Sequence, residues 1–497
     1  MNIAWQTVKD RFKQVWGYED FRYPQGEIIA TLLARKDTLV ILPTGGGKSI
    51  CFQLPALLQT GLTIVISPLV ALMENQVKQL QQLKLPGALL HSELSRLERK
   101  QILQAIKDQK LSLLYLSPET LLSLPVWEII SHPQIKITAI VLDEVHCLTQ
   151  WGTTFRPAYR RLGAVRRSLL KYKPSGTKIA IAAFTATADP PAQAAIIQVL
   201  ELQQPEVFLV SPYRPNINLN IKTIWTPKGR KQATLKFIQA HPNQSGLVYV
   251  RSRDCSQNLA AWLKSENYAV AAYHAGLITQ ERRKIEQDWL TDKIQFVICT
   301  SAFGMGIDKP DVRWIIHFHA PELLAEYIQE IGRGGRDGKP AEALTLVSES
   351  TGWLNPEDKQ RSQFFTRKLT QQYQQAQQIV KQLPSQGTVA TIKEQFPQGE
   401  ITLGILHSLG LIDWQDPFHY RKRTSAISLN QLTNSQKHHQ QQMQTYLITK
   451  QCRWQFLLQA FGFNKEAEKF RCGHCDNCCR IRGKDKMIRE DWRNLKL

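Results

Sequence analysis

The stretch LVILPTGGGKSI, Leu39 to Ile50, decides the fold. Its apolar start, with β-branched Val40 and Ile41, reads as a buried strand. The glycine run reads as a tight turn, and Lys48-Ser49 as the start of a helix. Gly45, Gly46 and Gly47 let the main chain approach a phosphate chain with its N–H groups pointing inward. Lys48 then reaches the β- and γ-phosphates, and the Ser49 hydroxyl suits Mg²⁺. The strict phosphate-loop pattern departs only at its first glycine, where Leu42 stands. A chance glycine-rich turn is the bland alternative, and the flanking strand and helix speak against it.

Working outward, similar runs recur: LTIVISP, LSLLYLSPE, ITAIVLDEVH and KIAIAAFTATA, with helical patterns such as VALMENQVKQLQQL between them. Strands alternating with helices imply βαβ units and a parallel sheet. The rhythm pauses at SPYRPNINLN (Ser211 to Asn220) and resumes with SGLVYVRSR, YAVAAYHAG, IQFVICTSA, VRWIIHFHAP and EALTLVS. Two α/β domains in tandem follow, expected over 1–211 and 212–350. Beyond them the chain turns glutamine-rich and helical. A segment over 351–440 carries TVATIKEQFP, EITLGILHSLGLI and a possible hairpin, DWQDPFHYRKR. It reads as winged-helix-like, with a plain helical spacer as the competing reading. A cysteine module over 441–481 and a charged tail over 482–497 complete the expected organisation.

The 497 residues exceed what one hydrophobic core serves. Lys+Arg 63 against Asp+Glu 42 leaves a net charge of +21, which favours a polyanionic partner such as nucleic acid over a merely basic surface. No run reaches the ~18 apolar residues of a membrane span, and the N-terminus lacks a signal-peptide core. A cytoplasmic protein is expected. Five of the nine cysteines crowd the C-terminal end, which in a reducing compartment suggests metal before disulfide. Cys452, Cys472, Cys475 and Cys478 supply the four thiolates of a closed, structural Zn²⁺ site, with Cys479 or His474 as possible substitutes.

Asp143 and Glu144 follow the apolar run ITAIVL and so leave a strand at its C-terminal end, where open α/β sheets bind ligands. There Asp143 suits Mg²⁺ through its water shell, and Glu144 suits orienting or deprotonating a water. In EYIQEIGRGGRDGKP, Gln329, Arg333 and Arg336 sit where a helix breaks at Gly332–Gly335. A guanidinium there fits the role of an arginine finger on the γ-phosphate.

In order along the chain, FRYPQGE, TGGGKS, SPLVALMENQV, DEVHCLTQWGTTFRP, FTATA, YHAGL, AFGMGIDKPDVR and QEIGRGGRDG resemble a superfamily 2 helicase of the RecQ family. The resemblance runs from about Phe21 to Lys339 and continues in the C-terminal cysteines. It implies two tandem RecA-like domains, ATP and Mg²⁺ in the cleft between them, and structural Zn²⁺ on Cys452, Cys472, Cys475 and Cys478. It also implies residue roles. Gln25, with Arg22, reads adenine. Thr44, Gly45, Gly46, Gly47, Lys48 and Ser49 hold the phosphates and Mg²⁺. Asp143, Glu144 and His146 form the hydrolytic centre, with Lys48 and Arg336 beside the reacting phosphate. Thr185 and Thr187 couple hydrolysis to the strand. Gly306, Asp308, Gln329 and Arg333 face the nucleotide from the second domain.

The resemblance makes the stretch after the DEVH box an aromatic loop that senses single-stranded DNA, through Gln150, Trp151, Phe155 and Arg156. Stacking of a base on an aromatic is sequence-tolerant and contributes about 1–3 kcal/mol. The core-aromatic reading of Trp151 and Phe155 is the alternative. Three departures stand out: Thr153-Thr154 where His-Asp is usual, and Asn75 and His319 where aspartate is common. Together these imply an ATP-dependent DNA helicase of 3′–5′ polarity, used in repair or recombination, acting as a monomer on single-stranded and forked DNA. An RNA helicase, a translocase that does not unwind, and a zinc-dependent DNA-binding protein with a dead ATPase are the rivals.

Overall fold

The computed structural model describes residues 3–148, 156–303, 307–349, 351–423 and 430–481. The chain divides into two compact units. One is Met1–Val210 with Arg367–Thr433; the other is Ser211–Thr366 with Asn434–Leu497.

In the first unit, β1 (Thr38–Ile41), β2 (Leu62–Ile66), β3 (Gly87–Leu90), β4 (Leu113–Leu116), β5 (Ile137–Leu142), β6 (Ala180–Thr185) and β7 (Glu206–Leu209) form one sheet. Its order is β3-β4-β2-β5-β6-β1-β7, and the pairs are parallel. The inner strands β1, β2, β4, β5 and β6 are buried on both faces because helices cover both. Alternation then sorts the side chains. Leu39, Ile41, Ile64 and Ile140 enter one core, while Val40, Leu42, Val65 and Val141 enter the other. β5, β6 and β1 are consecutive neighbours, so the glycine loop, Asp143 and Thr185 all emerge at one end of the sheet.

The second unit repeats the plan with β8 (Ile217–Ile224), β9 (Gly246–Tyr249), β10 (Val270–Tyr273), β11 (Phe296–Cys299), β12 (Trp314–His317) and β13 (Ala341–Ser348), in the order β10-β11-β9-β12-β13-β8. Ile217, Leu219 and Ile221 of β8 are buried, while Asn220 Nδ2 donates to Glu342 Oε1 at 2.7 Å. Asn218 and Asn220, which look like a pause in the sequence, are thus the partly buried alternate positions of an edge strand.

The downstream segment, expected over 351–440 as winged-helix-like, joins the first unit over 367–433. After the helix Glu357–Gln382 come β14 (Gln386–Thr388), the helices Val389–Gln395 and Gly399–Ser408, β15 (Ile412–Trp414) and β16 (His419–Lys422). The three strands form an antiparallel sheet, β14-β16-β15, which gives the element order of a winged helix. A Cβ on Gly399 would overlap the Ile392 carbonyl, so the two short helices cross nearly backbone to backbone. Leu403, Leu406, Ile392, Trp414 and Tyr420 share a core with Ala164 of the first sheet domain. Arg161 pairs with Glu400 at 3.7 Å, and Trp127 meets Phe418 edge-on at 5.3 Å. The helix that would enter a DNA groove in a free winged helix has Thr402 to Leu406 buried.

Candidate nucleotide site and cysteine centre

The loop between β1 and the helix Lys48–Leu58 takes the shape its glycines permit. Gly45 and Gly47 lie at φ 83° and 72°, a region that side-chain-bearing residues avoid. A Cβ on Gly47 would also overlap the Gln25 amide. Gln25 Nε2 donates to the Gly46 and Gly47 carbonyls at 3.2 and 3.4 Å, and its Oε1 accepts from the Arg22 N–H at 3.0 Å. Gln25 therefore braces the phosphate loop from the Arg22 side. Next to it an open pocket of about 400 Å³ is lined by Trp5, Lys9, Phe21, Arg22, Tyr23 and Glu27. The aromatics Trp5, Phe21 and Tyr23 are the sequence signal for that pocket, and of its lining the sequence motif names only Arg22. Lys48 Nζ rests on the Leu42 carbonyl at 3.3 Å.

At the end of β5, the Asp143 N–H continues the ladder to Ile66 O at 2.8 Å, and its side chain is buried. Burial, then the neighbouring Glu144, lifts the Asp143 carboxyl to about 7, with Lys48 acting in the opposite direction. A buried acid so placed fits a divalent cation, which would favour the ionised form. Glu144 adopts φ 50°, a strained conformation for a non-glycine residue, and its N–H donates to Asp143 Oδ1 at 3.0 Å. His146 Nδ1 lies 3.1 Å from Glu144 Oε2 and 3.1 Å from Thr185 Oγ1. The Thr185 hydroxyl in turn donates to Thr187 O at 3.1 Å. The DEVH end of β5 and the TAT end of β6 are therefore joined through one buried imidazole. Tyr159, which the sequence did not single out, donates its hydroxyl to Asp143 O at 3.1 Å. Arg156 is tied to Pro68 O at 2.7 Å and to Glu119. Gln150, Trp151, Thr153, Thr154, Phe155 and Gly306 lie outside the described residues.

In the second unit, the helix Leu324–Ile331 stops at Gly332, as the glycines suggested. Gln329 lies on that helix. Arg333 is buried beyond its end, beside Tyr249. Arg336 Nη1 donates to Asp308 Oδ1 at 2.7 Å and to Ile307 O at 3.3 Å. The sequence did not reveal what holds this helix. Arg251 grips Glu330 with two bonds of 2.9 and 2.7 Å, and His317 Nε2 lies 3.1 Å from the same carboxylate. Burial alone would raise the Glu330 pKa, but Arg251 and His317 outweigh it and hold the group at about 2.

The Sγ atoms of Cys452, Cys472, Cys475 and Cys478 all lie within 4.8 Å of one another. Backbone N–H groups of Cys472, Cys475 and Arg453 point at Sγ of Cys452, Cys472 and Cys475 at 3.3–3.4 Å, as thiolates require. This donor set fits tetrahedral zinc, with no position left open. Cys452 stands at the N-cap of the helix Arg453–Ala460. The two possible substitutes look elsewhere: Cys479 toward Gly473 O, and His474 toward the Tyr213 hydroxyl at 3.3 Å.

Comparison with known proteins agrees with this geometry. Residues 22–196 match the DEAD/DEAH box helicase model, 229–338 the helicase conserved C-terminal domain, and 417–479 the RecQ zinc-binding domain. The chain is 52% identical to an ATP-dependent DNA helicase RecQ of Synechocystis sp., over 95% of this chain and 98% of that one. It is 39% identical to the same-named protein of Pasteurella multocida, over 72% of this chain and 56% of that one. A structure of the DEAD-box helicase Mss116 bound to single-stranded RNA superposes with TM-score 0.57 at 16% identity, covering 70% of this chain and 76% of that one. That likeness speaks for the two RecA-like domains alone. The chain belongs to the RecQ family of ATP-dependent DNA helicases.

Proposed function

We propose that this chain hydrolyses ATP to move 3′ to 5′ along one DNA strand and to part the duplex ahead of it. The observation that carries this reading is the buried chain Glu144–His146–Thr185, which joins the hydrolytic carboxylate to the threonine motif in two 3.1 Å contacts. Gly45 to Ser49 cradle the phosphates, and Lys48 leaves the Leu42 carbonyl to pair with them. Ser49 and Asp143 would hold Mg²⁺, which when bound would neutralise charge on the phosphates. Glu144 orients and deprotonates the attacking water. Arg336, flanked by Gln329 and Arg333, neutralises charge on the γ-phosphate in the transition state. Thr187, Arg156 and the loop after the DEVH box report a bound strand to this centre. Arg22 and the pocket aromatics take the adenine, with Gln25 linking them to the phosphate loop.

Each base-pair step opposes the motor with stacking of roughly 1.4 kcal/mol. The cysteine centre, when loaded with zinc, stiffens the C-terminal module. We further read the protein as a cytoplasmic monomer acting on single-stranded and forked DNA in repair or recombination. No described helix is long and apolar enough to cross a membrane. Strand displacement on forked, 3′-tailed and 5′-tailed duplexes tests the proposal. Unwinding is expected on forked and 3′-tailed substrates and not with Lys48→Ala. Displacement confined to 5′-tailed DNA, or surviving in Lys48→Ala, refutes it.

A further inference from the structure

The arginine Arg336 follows a glycine whose peptide is fastened on both sides. The Gly335 N–H donates to Val312 O at 2.8 Å. Its carbonyl accepts from Arg214 Nη2 at 2.8 Å and from Asn216 Nδ2 at 2.8 Å. Asn216 Nδ2 reaches Lys339 O as well, at 2.8 Å, closing the loop 335–339 at its other end. Gly335 sits at φ 53°, and a Cβ there would overlap Asn216 Nδ2 and Lys339 O, so the fit admits only glycine.

Arg214 and Asn216 lie in SPYRPNINLN, just before β8, far from the arginine motif in sequence. Their segment is also held from outside that motif. Tyr213 packs edge-on against Trp454 at 5.3 Å and Phe470 at 4.8 Å, and Ser211 Oγ donates to Glu466 at 3.0 Å. On the β8 side, Trp454 Nε1 donates to Ile217 O at 3.2 Å. The segment 211–217 is thus anchored on the cysteine module by one set of side chains and grips the arginine loop with the other. Burial, then the charge of Arg336, lowers the Arg214 pKa.

We propose that Arg214 and Asn216 are positioning residues for Arg336: by fixing the Gly335 carbonyl they set where its guanidinium can reach during hydrolysis. The proposal rests on the finger reading of Arg336. Displacing a transition-state group by about 1 Å can cost as much as 10²-fold in rate. Loss of one of two fasteners is therefore expected to cost about tenfold in kcat. ATP and single-stranded DNA make no demand on these contacts, so KM for ATP and DNA affinity should hold within about twofold.

The test measures kcat and KM for ATP at saturating oligonucleotide in Arg214→Ala, Arg214→Lys, Asn216→Ala, Arg336→Ala and the Arg214→Ala/Arg336→Ala pair, with oligonucleotide affinity and melting temperature beside them. The proposal predicts a kcat loss in both alanine variants at unchanged KM. It also predicts partial recovery in Arg214→Lys, and a double variant no slower than Arg336→Ala. An inactive Arg336→Ala beside wild-type kcat in Arg214→Ala and Asn216→Ala overturns the positioning role alone. Arg336→Ala hydrolysing like wild type overturns the finger reading and this one together. If Asn216→Ala fails to fold, the half-exposed Arg214 variants still decide, and additive losses in the double variant count against the proposal.

Discussion

The two halves of the ATPase machinery are built differently. In the first unit, each chemical group leaves the end of its own strand: the glycine loop after β1, Asp143 after β5, Thr185 at the end of β6. Sheet hydrogen bonding brings them to one end, where Gln25 braces the loop and His146 joins the two strand ends. In the second unit, Arg336 lies past a helix end, and its place depends on Glu330 below, Asp308 beside it, and Arg214 and Asn216 from before β8. Chemistry set on strand ends should fail only when the reacting group itself is changed. Chemistry set on a loop should also fail at a distance.

The sharpest consequence falls on the first unit. Glu144→Gln keeps the shape and removes the base, so kcat for ATP should fall by about 10²–10⁴-fold with nucleotide binding retained. A pre-steady-state binding assay beside steady-state turnover checks this, and lost binding would mean that Glu144 builds the site rather than acts in it.

A large effect at a distance is expected at Glu330. Glu330→Gln leaves Arg251 buried and without its counter-charge, a change that costs about 3–5 kcal/mol. Denaturant unfolding of the second unit should show it. Since the folded-state pKa is depressed to about 2 from the ordinary 4.5, the contribution is complete above pH 4.5 and is lost as pH falls from there toward 2. A variant whose stability deficit stays constant over that range would break the contrast between the halves.

A smaller loss is expected in the inserted module. Glu400→Ala removes one partner from buried Arg161 and should destabilise the docking of 367–433 by about 1 kcal/mol, read as protease sensitivity near residue 383. Oligonucleotide affinity should not change, because the helix carrying Glu400 is turned into the first unit. Weakened binding of DNA would restore a groove-reading role for that helix.

This contrast also explains what could be read in advance. Lys48-Ser49, Asp143-Glu144 and the cysteines are short-range patterns whose chemistry is stated by their own spacing. The prolines of 211–220 mark the pause ahead of the second set of strands. By contrast, β3, β7 and β8 were not legible. β8 hides its period-2 pattern behind asparagines, and β7 leaves Glu206 and Val207 exposed at a sheet edge. Gln25 as a brace, the Arg251–Glu330 grip and the fastening of Gly335 join residues 21 to 121 positions apart, a separation that periodicity cannot express. The same limit hid the return of 367–433 to the first unit. A helix–turn–helix pattern tells which residues are buried, not which surface buries them.

ATP turnover by the purified chain, followed as single-stranded oligonucleotide is added, bears most directly on the link between His146, Thr185 and the bound strand. The account expects turnover to rise at least about tenfold, the range of a real coupling free energy, and expects Thr185→Val to flatten that rise. A rate indifferent to oligonucleotide would contradict it.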